Sequence, residues 1–176
     1  AAAVLGQDRL AGAAVAMACG CGAPAAILTT RDAVMIDIPA AETQIGDERA
    51  PSAERPQFRM KVDAFRLDRS PVTVAQFAAF VAATAYVTDA ERLGGAGVFS
   101  KGLEGWTYVE GATWLRPRGP EKEEAPQDHP VTQVSWNDAG AYCAAYGLRL
   151  PSEFEWERAA RMGQTPDGTV FEAGTR

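Results

Sequence analysis

Hydrophobic positions first gather in the run from Leu10 to Ala18, behind Arg9, inside an Ala- and Gly-rich stretch over residues 1–26. The run is too short to span a bilayer, which takes about 20 apolar residues. It suits the apolar segment of a secretory signal peptide, with Ala16-Met17-Ala18 as a small-residue cleavage site, and Cys19 directly after it also permits a lipoprotein. The alternative is an Ala-rich tail of no structural meaning, so an exported and a cytoplasmic protein are equally open. Beyond it, the β-branched run from Ala33 to Ile38 predicts a short strand stopped by Pro39. Between Ala40 and Gln57, Gly46, Pro51, Pro56 and several charges predict a loop. Phe58, Met60 and Val62 then alternate with Arg59, Lys61 and Asp63, the period of a strand with one buried face, which Phe65 and Leu67 continue.

At Thr73 the period lengthens to that of a helix. Thr73 stands three residues ahead of Gln76, and Phe77, Phe80, Val81 and Thr84 follow at helical spacing. Such a pair forms a capping box, in which hydroxyl and amide satisfy backbone N–H groups that the first turn leaves unpaired. Thr88 with Glu91 repeats the device for a short turn. Ser135 with Asp138 opens a longer helix carrying Ala139, Tyr142, Cys143 and Tyr146 on one face, and Gly147 is placed to end it. Ser152 with Glu155 opens a last helix with Phe154, Trp156 and Ala160. Between these groups, Gly94 to Glu124 holds Trp106, Tyr108 and Trp114 among glycines with little periodicity, which predicts a packed, function-bearing loop. A further strand is expected over Val131 to Val134. The order of elements predicts an α+β fold with much irregular structure, one domain over residues 33–176.

Composition narrows the chemistry. With 176 residues, 47% hydrophobic and 23% charged, the chain can bury one core. A formal net charge of -6 argues against nucleic acid as a partner, because phosphate binding draws on clustered Lys and Arg. One histidine, His129, and three cysteines, Cys19, Cys21 and Cys143, cannot assemble a multi-His zinc site or a Cys-x-x-Cys pair. Ser135 has no adjacent base to make it a nucleophile and reads as a helix cap. Glu153, Glu155 and Glu157 cannot share one helical face, so they favour the helix N-terminus rather than a metal. Trp106 and Trp114 are candidates to line a peptide groove, with core packing as the competing role.

Four stretches carry a resemblance. They are FRLDRSPVTVAQFAAFVAAT with AYVTDAER behind it (65–92), GATWLRPRGP (111–120), DHPVTQVSWNDAGAYC (128–143) and GLRLPSEFEWERAAR (147–161). In this order they resemble the formylglycine-generating enzyme, or sulfatase-modifying factor, family. Ile38-Pro39 and Ile45-Gly46 look like its opening strand and turn, with Ala40-Ala41 where a glycine pair is usual.

The resemblance implies a C-type-lectin-like core and a domain incomplete at its C-terminus. It also implies oxidation of a sulfatase cysteine to Cα-formylglycine, with molecular oxygen and a copper(I) ion held by two cysteines, soft thiolates being what Cu(I) prefers. Copper, with calcium a further candidate, is thus expected of the full-length family. The cysteine pair is expected beyond residue 176, so no catalytic or metal-binding residue carries over to this chain, and it is expected to be inactive alone. A sulfatase-type peptide is the implied partner, and a second polypeptide completing the domain is a further one. Cys143 matches a position that the family buries on a helix or ties into a disulfide. His129, in Asp-His-Pro, matches a turn ahead of a strand; Ser135, Ser152 and Glu155 are structural. A non-catalytic, exported lectin-like binding module is the alternative function, and an unstable fragment a third.

Overall fold

In the computed structural model the described residues are 5–6, 28, 31–49, 52–100 and 105–162. The proposed signal segment, with Cys19 and Cys21, lies outside them apart from Leu5–Gly6. The elements run β1 (Leu5–Gly6), β2 (Met35–Ile38), β3 (Ala41–Ile45), a 3₁₀ turn at Ser52–Glu54, β4 (Phe58–Val62), β5 (Phe65–Asp68), α1 (Val74–Thr84) and α2 (Asp89–Leu93). Then follow β6 (Gly95–Ser100), β7 (Gly105–Glu110), α3 (Trp136–Ala145), β8 (Leu148–Arg149) and α4 (Glu153–Arg161). Helices and strands are mixed, and the sheets are small.

The strands from β2 to β5 form one antiparallel ribbon. Ile38 pairs with Phe65 and Ala41 with Val62, so the register holds across a break at residues 39–40 and 63–64. Pro39 has no N–H to give to a ladder, which is where the pairing lapses. The inward face changes phase at this break. Phe65 and Leu67 are buried on one arm, and after two unpaired positions the buried residue is Val62. The expected single strand from Phe58 through Leu67 is therefore two strands. Phe58 and Met60, expected inside, are 44% and 36% exposed; among the described elements, β3 and α4 are the ones that pack most against that end of the ribbon. The stretch expected as a loop from Ala40 contains β3, whose Thr43 and Ile45 are buried under α4.

Beyond β5 lies the main core. Phe77 of α1 meets Phe80 at 5.4 Å, Trp114 at 5.4 Å and Tyr142 of α3 at 6.0 Å between ring centroids. Val72, Val131 and Cys143 complete it. Burying a side chain the size of Phe77 stabilises by about 2–3 kcal/mol. A smaller cluster of Ile38, Val62, Phe65 and Leu67 packs under Phe154 and Ala159 of α4.

All four boxes form, each with both reciprocal bonds: Thr73/Gln76, Thr88/Glu91, Ser135/Asp138 and Ser152/Glu155. Gly147 sits at φ +67 just past α3, a left-handed position that ends the helix. The strand expected at Val131 to Val134 is absent. Val131 is buried and its N–H donates to the Val72 carbonyl at 2.9 Å, but Gln133 turns to φ +58 and ends any extended run. The expected long loop from Gly94 instead opens with the β6–β7 hairpin.

Candidate functional site

The hairpin displays an aromatic strip. Phe99 faces Trp106 across the two strands, ring centroids 5.7 Å apart, and Gly97 faces Tyr108 on the same side. These aromatics are 58%, 76% and 60% exposed, while Val98, pointing the other way, is buried. Gly95 is required beside them: a Cβ there would stand 2.9 Å from the Tyr108 ring and 2.4 Å from the Val109 carbonyl oxygen. The Tyr108 hydroxyl donates to the Leu93 carbonyl at 3.0 Å, laying the ring across Gly95.

A polar clamp holds the hairpin's root to the body. The fully buried Asp138 carboxylate accepts from the Ser135 N–H at 2.8 Å, the Asp89 N–H at 3.0 Å and the Tyr86 hydroxyl at 3.0 Å. Asp89 accepts from the Ser135 hydroxyl at 2.5 Å, the Arg92 guanidinium at 2.6 Å and the Asn137 amide at 3.3 Å. The Ser135 hydroxyl first, then Arg92, hold the Asp89 carboxyl at about 2. Arg92 also lies 5.6 Å over the Tyr86 ring. Ser135 thus caps α3 and binds α2 at once.

Elsewhere, Asp68 holds both terminal nitrogens of Arg31, one of them at 2.6 Å. Burial works against the Arg31 charge, and Asp68 with Tyr142 behind it together outweigh that effect. The pair fixes residues 31–34 to the end of β5, beside an open cleft of about 800 Å³ lined in part by Ser70, Thr73, Gln76 and Gln127.

The sequence-derived candidates scatter. Trp106 lies on the exposed strip, whereas Trp114 is 7% exposed in the core against Phe77, so the two do not share a surface. Cys143 is 1% exposed, and burial pushes its thiol up to about 11. The His129 side chain is exposed and its carbonyl accepts from the Val74 N–H at 2.9 Å. Ser152 and Glu155 cap α4, far in sequence from the strip. Among the described residues no group of three or more His, Cys, Asp or Glu side chains is arranged to hold a metal ion, and no helix is long and apolar enough to cross a membrane. Asp89, Asp138 and Tyr86 were missed as a set. The Thr88/Glu91 and Ser135/Asp138 boxes mark both helix starts in the sequence, but nothing there brings the two together.

Comparison with known proteins decides the family. The sulfatase-modifying factor enzyme 1-like domain matches residues 24–175. The chain belongs to this family. Among sulfatase-modifying factor relatives, the formylglycine-generating enzyme of Streptomyces coelicolor is 42% identical over 73% of this chain and 47% of its own length. That of Bos taurus is 38% identical over 73% of this chain and 40% of its own length. An inactive C-alpha-formylglycine-generating enzyme 2 of Mus musculus is 38% identical over 83% and 52%. This sulfatase-modifying factor chain therefore spans about half the length of the curated relatives it matches.

Proposed function

We propose that this chain is the peptide-recognising portion of a formylglycine-generating enzyme-like protein, with an extended segment of a sulfatase as its partner. The aromatic strip of Phe99, Trp106 and Tyr108 carries the reading. Contiguous exposed aromatics on one face of a ribbon mark a surface made for a partner. A two-stranded hairpin also has outer backbone edges to which an extended peptide can add by main-chain hydrogen bonds. The family's relation to sulfatases supplies the substrate class. Its framework we read as C-type-lectin-like.

The reaction in this reading is oxidation of the peptide's cysteine to Cα-formylglycine at copper(I) held by two thiolates. The described residues do not fit that ion. Cys143 is the one cysteine among them, enclosed in the core and held protonated by burial, whereas Cu(I) needs accessible thiolates. The described residues therefore do not supply the oxidation, and this chain is proposed to bind the peptide without turnover. The runner-up, a binding module with no oxidase role, is favoured by the relatives in Mus musculus and Bos taurus that are named inactive.

The test is a fluorescence titration with a cysteine-containing sulfatase peptide. A saturable change is expected, weakened at least tenfold, about 1.4 kcal/mol, in Trp106→Ala. Absence of binding by the unsubstituted chain would sink the recognition reading. Formylglycine found by mass spectrometry after incubation with Cu(I) and oxygen would sink the claim of no turnover.

A further inference from the structure

We infer that Asp89 and Asp138 are positioning residues: the carboxylate clamp between α2 and the start of α3 sets the angle at which the β6–β7 hairpin presents its aromatic strip. The inference rests on the reading of that strip as a recognition surface.

The chain path makes the coupling direct. α2 ends at Leu93 and β6 begins at Gly95, with Gly94 alone between them. The second strand returns to the same point, where the Gly111 N–H donates to the Gly94 carbonyl at 2.9 Å. α2 and the hairpin therefore meet through one residue, and the Tyr108 hydroxyl bond to the Leu93 carbonyl adds a second tie between them. α2 is five residues long, too short to hold its shape or direction unaided, so both come from tertiary contacts. Its apolar share of those contacts is small, since Ala90 is its buried residue. The polar share is large and comes from one direction. Asp138 takes the first N–H of α2 and the Tyr86 hydroxyl ahead of it, and Asp89 reaches back to Ser135 and Asn137. Bonds to ionised carboxylates are the stronger, more directional kind. Arg92 closes the arrangement, bound to Asp89 on one side and to the Val87 carbonyl at 2.6 Å on the other. The two ends of the clamp are 46 to 52 residues apart in sequence, so it ties the hairpin to the body rather than to its own neighbours.

Residual dipolar couplings of the hairpin amides, measured against those of α1 and α3, read the angle without reference to any ligand. Asp89→Ala should reduce the hairpin couplings by averaging while leaving those of α1 and α3 intact, and should weaken sulfatase-peptide binding at least fivefold. Asp89→Asn keeps an acceptor for the Ser135 hydroxyl and should restore most of both. Trp106→Ala should lose peptide affinity with the hairpin angle unchanged. Unaltered hairpin couplings in Asp89→Ala overturn the clamp. Averaged couplings with full affinity, in a chain whose Trp106→Ala variant binds poorly, overturn its role in presentation. If Asp89→Ala does not fold, Asn137→Ala, which removes an exposed donor, decides by the same couplings. If the unsubstituted chain binds no peptide, the recognition reading falls, and the couplings still decide the clamp.

Discussion

The Arg149 guanidinium grips the Glu155 carboxylate with both terminal nitrogens, at 2.7 and 2.8 Å. The same carboxylate accepts from the Ser152 N–H at 2.8 Å, so one side chain both caps α4 and fastens it to β8. Arg149, against an opposing effect of burial, holds the Glu155 carboxyl at about 2, below its ordinary 4.5. A depressed value means that the folded state prefers the charged form, so this stability is present above about 4.5 and is lost as pH falls toward 2. Glu155→Gln should cost about 1–2 kcal/mol at neutral pH, with Arg149 partly solvent-screened, and the difference from the unsubstituted chain should vanish near pH 2. Urea unfolding at a series of pH values measures it.

The two tryptophans proposed for a groove should separate by stability. Trp106→Ala, on the open hairpin, should change unfolding free energy by less than about 0.5 kcal/mol. Trp114→Ala, in the core against Phe77, should cost about 3–5 kcal/mol. Equal losses would mean that Trp106 is packed after all.

Ala85, exposed at the C-cap of α1, has φ +52 and ψ +32. A Cβ in this left-handed region is strained, so Ala85→Gly should raise stability by about 0.5–1 kcal/mol, visible as a higher Tm. A lower Tm would show that the unfolded chain's extra freedom outweighs the relief.

Burial and a thiol held near 11 should make Cys143 slow to alkylate at pH 8. Peptide mapping after a timed pulse of iodoacetamide should find it unmodified in the native protein and modified in denaturant.

Helix starts were the most legible part of the molecule, because a capping box is a local contract between residues three apart. Even the loose pair Ser135 and Asp138 closes fully. Strands were less legible. β3 was hidden among loop-forming residues, and its Thr43 and Ile45 become inward-facing only because β4 pairs with it. β6 begins Gly-Ala-Gly, with none of the bulk that announces a strand, and owes its form to the opposite strand. Read from the sequence, one alternation runs from Phe58 through Leu67, and the odd spacing between Val62 and Phe65 takes its meaning only from the structure, where the buried face changes phase. The candidate site was legible only in Trp106. Its supports, Tyr86 to Asp138 and Asp89 to Ser135, join residues about fifty apart, and pairwise spacing carries no trace of such meetings.

The ribbon's unbroken register decides where this family member tolerates changes in length. Residues added at the tip between β3 and β4 leave every partner in place. One residue inserted into either arm shifts that arm by a step, bringing Asp37 or Arg66 inward where Ile38, Phe65 and Leu67 are now buried. An insertion at the tip is thus expected to leave the ladder intact, whereas the arms keep their pairing only at constant length.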